Sequence, residues 1–153
     1  MARLHNDLIF YENWATEIIK PFQQFSDVLS ASPVCSIHHT QMGFKLYDGI
    51  KLGYRIGLEV SGWCLFVKRE IFKMIGKLDE NYSFWFSDDD YANTLYVLNI
   101  NHVLVTSSIV DHLYSKTLLT QSEERQVELT ETEEFYFGKK WNHRRGNDFV
   151  IMT

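Results

Sequence analysis

The chain has 153 residues, of which 45% are hydrophobic and 15% aromatic, and a formal net charge of -5. That length suits one domain or part of a larger one, and that apolar content supports a packed core and excludes disorder. The acidic balance excludes the electrostatic footprint of a nucleic-acid-binding protein.

Leu4 to Tyr11 predicts a strand that breaks at the polar triplet His5-Asn6-Asp7 and resumes in Leu8-Ile9-Phe10. Asn13 is placed to cap a helix whose apolar face is Trp14, Ile18, Phe22 and Phe25, and Pro21 inside it predicts a kink or an early end. Pro33 to Ile37 predicts a short buried strand. Residues 38–60 carry Gly43, Gly49, Gly53 and Gly57 with no lasting period. This reads as a long loop with room for a hairpin, of the kind that often binds or covers a ligand. Ser61 to Val67 returns to strand character, and Arg69 to Ile75 predicts a short helix closed by Gly76.

Ser83-Phe84-Trp85-Phe86-Ser87-Asp88-Asp89-Asp90-Tyr91 is the most unusual stretch. Adjacent carboxylates repel one another unless a cation or a helix N-terminus compensates them, and a helix starting here offers free N–H groups and the positive end of its dipole. Beside an aromatic wall, a carboxylate can be tuned for proton abstraction. Taken alone, the stretch reads first as an acidic cap on a surface helix. Tyr91, Leu95 and Leu98 predict that this helix runs from Asp88 to about Asn99. A strand from Val103 to Val110 follows, ending at Asp111-His112. Gln121 to Lys140 predicts a charged helix with a weak apolar side of Val127, Phe135 and Tyr136, and residues 142–153 form a polar tail. Lys139-Lys140 and Arg144-Arg145 make this end locally basic, fit to meet phosphate, the inner face of a membrane, or solvent alone. Cys35 and Cys64 sit in apolar runs without metal-type spacing, as in reduced core residues. No apolar stretch approaches membrane-spanning length and the start lacks a signal-peptide core, so a cytoplasmic protein is expected.

Five words in this order resemble the catalytic domain of family 2 glycosyltransferases with the GT-A fold. They are Leu4-His5-Asn6-Asp7, the run Ser61 to Phe72 with Gly62-Trp63 at its head, Ile75-Gly76-Lys77-Leu78-Asp79-Glu80, Ser87-Asp88-Asp89-Asp90-Tyr91, and Val110 to Thr117. Lys140-Trp141 is similar to a further family feature. The resemblance spans roughly residues 4–141 and implies a GT-A-like (Rossmann-like) α/β domain, a mixed sheet flanked by helices. The opening βαβ units of such a sheet, on the order of 60 residues, have no counterpart before Leu4. The expected domain, residues 1–141, is therefore shortened on its nucleotide-binding N-terminal side.

The resemblance implies transfer of a sugar from a nucleotide-diphospho-sugar to an acceptor hydroxyl, with inversion at the anomeric carbon. Such chemistry calls for a divalent cation, Mn2+ or Mg2+, against the leaving diphosphate, and a carboxylate base for the acceptor proton. His5-Asn6-Asp7 stands where the family has Asp-x-Asp, with Asp7 matching the last carboxylate and His5 replacing the first. His112 matches the family's strand-end His, which completes the metal site or touches the diphosphate. Asp88 matches the base, Asp89 is one register step away, and Asp90 matches a carboxylate that more often orients the helix. Asn6, Ser115 and Lys116 are implied on the donor, with Thr117 in the same closing loop, and Gly62 and Trp63 on a glycan, lipid-linked or protein acceptor. A polar strand end, a surface His and a core Trp are the plainer readings of the same residues. A second functional reading is a non-catalytic GT-A remnant that binds carbohydrate or assembles, through an exposed sheet edge, with a second copy or a partner chain.

Overall fold

The computed structural model describes residues 1–83, 85–113 and 122–143. Its centre is a mixed sheet of six strands flanked by helices on both faces. The strands are β1 (Ala2–Leu4), β2 (Leu8–Phe10), β3 (Val28–Val34), β4 (Ile50–Leu52), β5 (Cys64–Val67) and β6 (Asn101–His112). They lie in the order β1-β5-β3-β6-β2, with β4 also paired to β6. β3 and β6 run parallel; β5 joins β3 antiparallel, β2 and β4 join β6 antiparallel, and β1 pairs antiparallel with β5 and so runs in the direction of β3 and β6. The helices are α1 (Trp14–Gln24), α2 (His38–Gln41), α3 (Phe72–Ile75, continuing a 3₁₀ turn over Arg69–Ile71), α4 (Ser87–Val97) and α5 (Glu123–Trp141). Among the described residues no helix is long and apolar enough to cross a membrane.

Alternation along β3 and β6 divides the core. Val28, Ala31, Val103 and Val105 face α1, where Ile18 is fully buried and Phe22 packs. Leu65, Ile71, Tyr91, Ala92 and Leu95 form the core under α4. Several expectations need correction. Pro21 lies inside α1, which runs on to Gln24, and Phe25 caps it half-exposed instead of packing. The strand expected at Pro33 to Ile37 begins at Val28 and ends at Val34. The expected loop 38–60 contains α2 and β4, and β4 pairs with β6, not with a hairpin neighbour.

β6 also carries a step. Pro33 pairs with Val105 and the next residue, Val34, with Ile109, so Thr106, Ser107 and Ser108 bulge out of the ladder. Their hydroxyls are all engaged: Thr106 donates to the Gly49 carbonyl at 2.7 Å, Ser107 to Glu17 at 2.8 Å and Ser108 to the Trp14 carbonyl at 2.8 Å.

On the α4 face the sheet presents polar side chains joined in one chain. Tyr91 Oη donates to Ser30 Oγ at 2.8 Å, and Ser30 Oγ lies 2.7 Å from His102 Nδ1. His102 Nε2 faces the Glu59 carbonyl at 2.9 Å, and a carbonyl only accepts. Nε2 therefore carries the proton and Nδ1 accepts from Ser30, which gives every member a partner.

α5 is held by polar anchors as well as by an aromatic cluster in which Tyr136, Phe137 and Trp141 pack with Tyr82, Trp85 and Phe86. Val127 and Phe135, expected to pack, are exposed, Tyr136 packs as expected, and among the described side chains of α5 the buried ones are Phe137 and Glu133. Glu133 accepts from the Ser83 N–H (2.9 Å), the Ser83 hydroxyl (2.6 Å) and the Trp85 N–H (2.6 Å). Phe137 stacks on Phe86.

Two outcomes follow for stability. Glu133→Ala leaves these donors without their carboxylate and is expected to cost about 3 kcal/mol, read as a lower denaturant midpoint at unchanged slope. Burial pushes the His102 imidazole down to about 4, against about 6.5 in the unfolded chain. The unfolded state then binds more protons than the folded one across that window. Stability from this residue is complete above the unfolded value and declines as pH falls towards the folded one, by up to about 3 kcal/mol. Urea unfolding at pH 7 and near pH 4.5 should show the decline, and His102→Gln should flatten it.

Candidate functional site

The polar triplet is placed by a change of strand partner. β1 ends with Leu4 opposite Cys64 of β5, and β2 begins with Leu8 opposite His112 of β6. His5-Asn6-Asp7 thus carries the chain from the start of β5 to the end of β6. The His5 N–H donates to the Trp63 carbonyl at 3.0 Å, and the Leu113 N–H donates to the Asp7 carbonyl at 3.0 Å. Because β3 and β6 are parallel and β5 opposes them, this position lies outside the carboxyl ends of the parallel pair. Open α/β sheets bind their ligands there.

Three of the residues singled out in the sequence meet at this point. One donor atom each from His5, Asp7 and His112 lie within 4.8 Å of one another. His112 Nε2 is 3.2 Å from Asp7 Oδ1, both side chains being mostly shielded. The His5 ring meets His112 edge-on, with centroids 5.6 Å apart. Trp63 stacks on the other side of His112 at 5.4 Å and 11°. His5 reaches solvent, yet partial loss of hydration, then the nearby Arg3 and His112, lower its pKa against the opposing pull of Asp7 and Asp88.

Asp88 enters from the first turn of α4. Gly62 makes room for it: a Cβ at residue 62 would overlap the Asp88 carboxylate and come within 2.6 Å of the Asp88 Cβ. The Arg3 guanidinium, which the sequence reading did not single out, donates to Ser87 Oγ at 3.1 Å and ties β1 to the same helix start. Asp89 is half-buried, its N–H donating to Asp88 Oδ1 at 3.2 Å. Asp90 points elsewhere. It is buried and accepts from Trp141 Nε1 at 2.6 Å, and Lys140 Nζ bridges it to Asp79 at 2.7 Å on each side. Asn6 is exposed on the turn between β1 and β2. Ser115, Lys116 and Thr117 lie outside the described residues.

Two further groups shape the surroundings. His39 is fully buried and packs against Trp63 with centroids 6.2 Å apart. Its Nδ1 accepts from the Cys35 N–H at 2.7 Å, so Nε2 carries the proton and donates to the Leu58 carbonyl at 2.7 Å. It supports the Trp63 ring as a neutral residue, and burial lowers its pKa accordingly. Asp111, next to His112, accepts from the Ser36 N–H (2.6 Å), the Ser36 hydroxyl (2.8 Å) and Tyr11 Oη (2.9 Å). Burial opposes its charge, but these bonds together outweigh burial and lower its pKa. Cys35 and Cys64 are both buried free thiols, and burial pushes Cys64 up to about 12.

As a donor set, two imidazoles and one carboxylate fit a divalent cation. They offer fewer hard oxygens than Mg2+ usually takes. No family model, curated protein or solved structure matches the chain.

The closeness of Gly62 and Asp88 is directly testable. Gly62→Ala should destabilise by about 1–3 kcal/mol through overpacking. In an Asp88→Gly background the added methyl should cost clearly less. Equal costs in both backgrounds, measured by urea unfolding, would show that the two residues do not share this space.

Proposed function

We propose that the chain is the acceptor-side portion of an inverting glycosyltransferase with a GT-A-like fold, acting on a nucleotide-diphospho-sugar. The observation that carries this reading is convergence. His5, Asp7, Gly62, Trp63, Asp88 and His112, drawn from four separate words of the sequence, gather at the carboxyl end of the parallel strand pair. Two more words of the resemblance, Asp79 and Lys140-Trp141, meet at Asp90 just behind the site.

In this reading Asp88 is the base. The acceptor hydroxyl gives its proton to the Asp88 carboxylate as its oxygen attacks the anomeric carbon. The bond from that carbon to the diphosphate oxygen breaks with inversion, and the nucleoside diphosphate leaves with the electron pair. A cation held by His5, Asp7 and His112 supplies, when bound, neutralisation of that leaving charge. Trp63, stacked on His112, sits beside the donor set on the acceptor side in this reading. Asp90, tied to Lys140 and Trp141, orients the helix, and Asp88 stands beside Gly62 and His5. Asn6 stands at the exposed turn where a donor would enter.

The test is calorimetric titration of the full chain with uridine and guanosine diphosphates and their sugar conjugates, followed by release of the nucleoside diphosphate. Asp7→Ala should abolish cation-dependent binding. Asp88→Asn should keep binding and lower turnover by roughly 10²–10⁴-fold. Binding without turnover in the wild-type chain would favour a carbohydrate-binding or assembly module. Binding of no nucleotide would overturn the reading.

A further inference from the structure

We propose that His5, Asp7 and His112 form a site selective for a borderline transition ion, of the Zn2+ and Co2+ class, over Mg2+ and Mn2+. The inference deepens the transferase reading by naming the ion its site takes, and it shares that reading's residues. It rests on donor chemistry and on how the three residues are held.

The donor set is two imidazole nitrogens and one carboxylate oxygen. Imidazole favours zinc, cobalt and iron(II), whereas Mg2+ takes oxygen ligands and gives up its water reluctantly. Across the divalent series Mn2+ is the weakest binder at any nitrogen-containing site. Bonds of about 2.0–2.1 Å from a zinc-like ion place neighbouring donors roughly 3–3.5 Å apart. Asp7 and His112 already stand at 3.2 Å. His5 has to close in from within 4.8 Å, and its side chain is exposed.

The frame behind the donors is fixed. Strand-end hydrogen bonds hold the backbone of His5 to Trp63 and of Asp7 to Leu113. Trp63 lies flat on the His112 ring and is itself backed by His39. With one carboxylate, a bound divalent ion keeps a net positive charge and open coordination positions, both suited to an anionic ligand such as a diphosphate. The competing account of the same geometry is a simple Asp7–His112 ion pair, in which His5 has no part.

Trp63 provides the measurement, because Co2+ bound beside His112 quenches it. In untagged full chain, the fluorescence lost in Trp63→Phe defines the Trp63 signal against Trp14, Trp85 and Trp141. The expected result is saturable Co2+ quenching of that signal, reversed by Zn2+ and not by Mg2+, with Mn2+ at least about tenfold weaker than Co2+. His112→Gln should abolish the quenching, and His5→Asp should shift the preference towards Mn2+. Mg2+ or Mn2+ competing as well as Zn2+ would overturn the inference. So would quenching that survives His112→Gln, or no quenching at all, which would leave the ion pair. The wild-type competition order is decisive even if a variant fails to fold. No donor or acceptor is present in this experiment, so it can fail while nucleotide-sugar turnover succeeds, and the reverse.

Discussion

The compensation of Asp90 is the constraint on which the rest of the molecule depends. A run of three carboxylates at one helix start is self-repelling, and the helix dipole offsets only part of that cost. Here one member is taken out of the competition. Asp90 is drawn behind the helix, bonded to Trp141 Nε1 and paired with Lys140, which also bridges to Asp79. Asp90 is buried while Lys140 is only partly shielded, and removing the cation would leave a buried carboxylate without its charge partner. The last turn of α5 is thereby bound to the first turn of α4. Asp88, half-buried, stays beside His5 and Gly62, whereas Asp90 is buried against α5.

A second constraint acts across the sheet. Three polar residues interrupt two short, largely exposed edge strands, and their polar groups still need partners or water. The fold meets this by letting His5-Asn6-Asp7 pass over the strand ends, where side chains reach solvent while the flanking backbone remains paired. The same crossing brings residues 5 and 7 beside residue 112. Site and fold share one cause at this point: the chain changes strand partner where its sequence turns polar.

What the sequence disclosed and what it hid divide along physical lines. The broken first strand, the acidic helix start and the strand-end His were legible because each interrupts a local period. Gly76 was legible as a helix stop, and its φ of 74° bears that out. The early start of β3 was hidden because Ser30 and Ser32 stand where apolar residues would advertise a buried strand. Their hydroxyls serve Tyr91, His102 and the Ser61 amide, partners far away in the chain. The packing side of α5 was hidden for a similar reason, since Glu133 is buried by virtue of hydrogen bonds that no periodicity reveals. Arg3 gave no signal at all, being a lone cation in a short strand. The mixed α/β sheet is plain in the strand pairing, whereas a GT-A-like identity is a proposal that starts from the sequence words.

The step in β6 has a consequence for which side chain faces the site. Between two adjacent pairs, β3 advances by one residue while β6 advances from Val105 to Ile109. The surplus is odd, so inward and outward alternation changes parity there. Val103 and Val105 share a face below the step, yet Ile109 packs with Leu104 and Val34. An uninterrupted ladder would exchange the faces of Asp111 and His112. The imidazole would then lie where Ser36 and Tyr11 grip a carboxylate, and the carboxylate would lie against Trp63. Thr106-Ser107-Ser108 thus behaves as a phase shifter, and the number of residues in it, more than their identity, decides which chemistry the strand end presents.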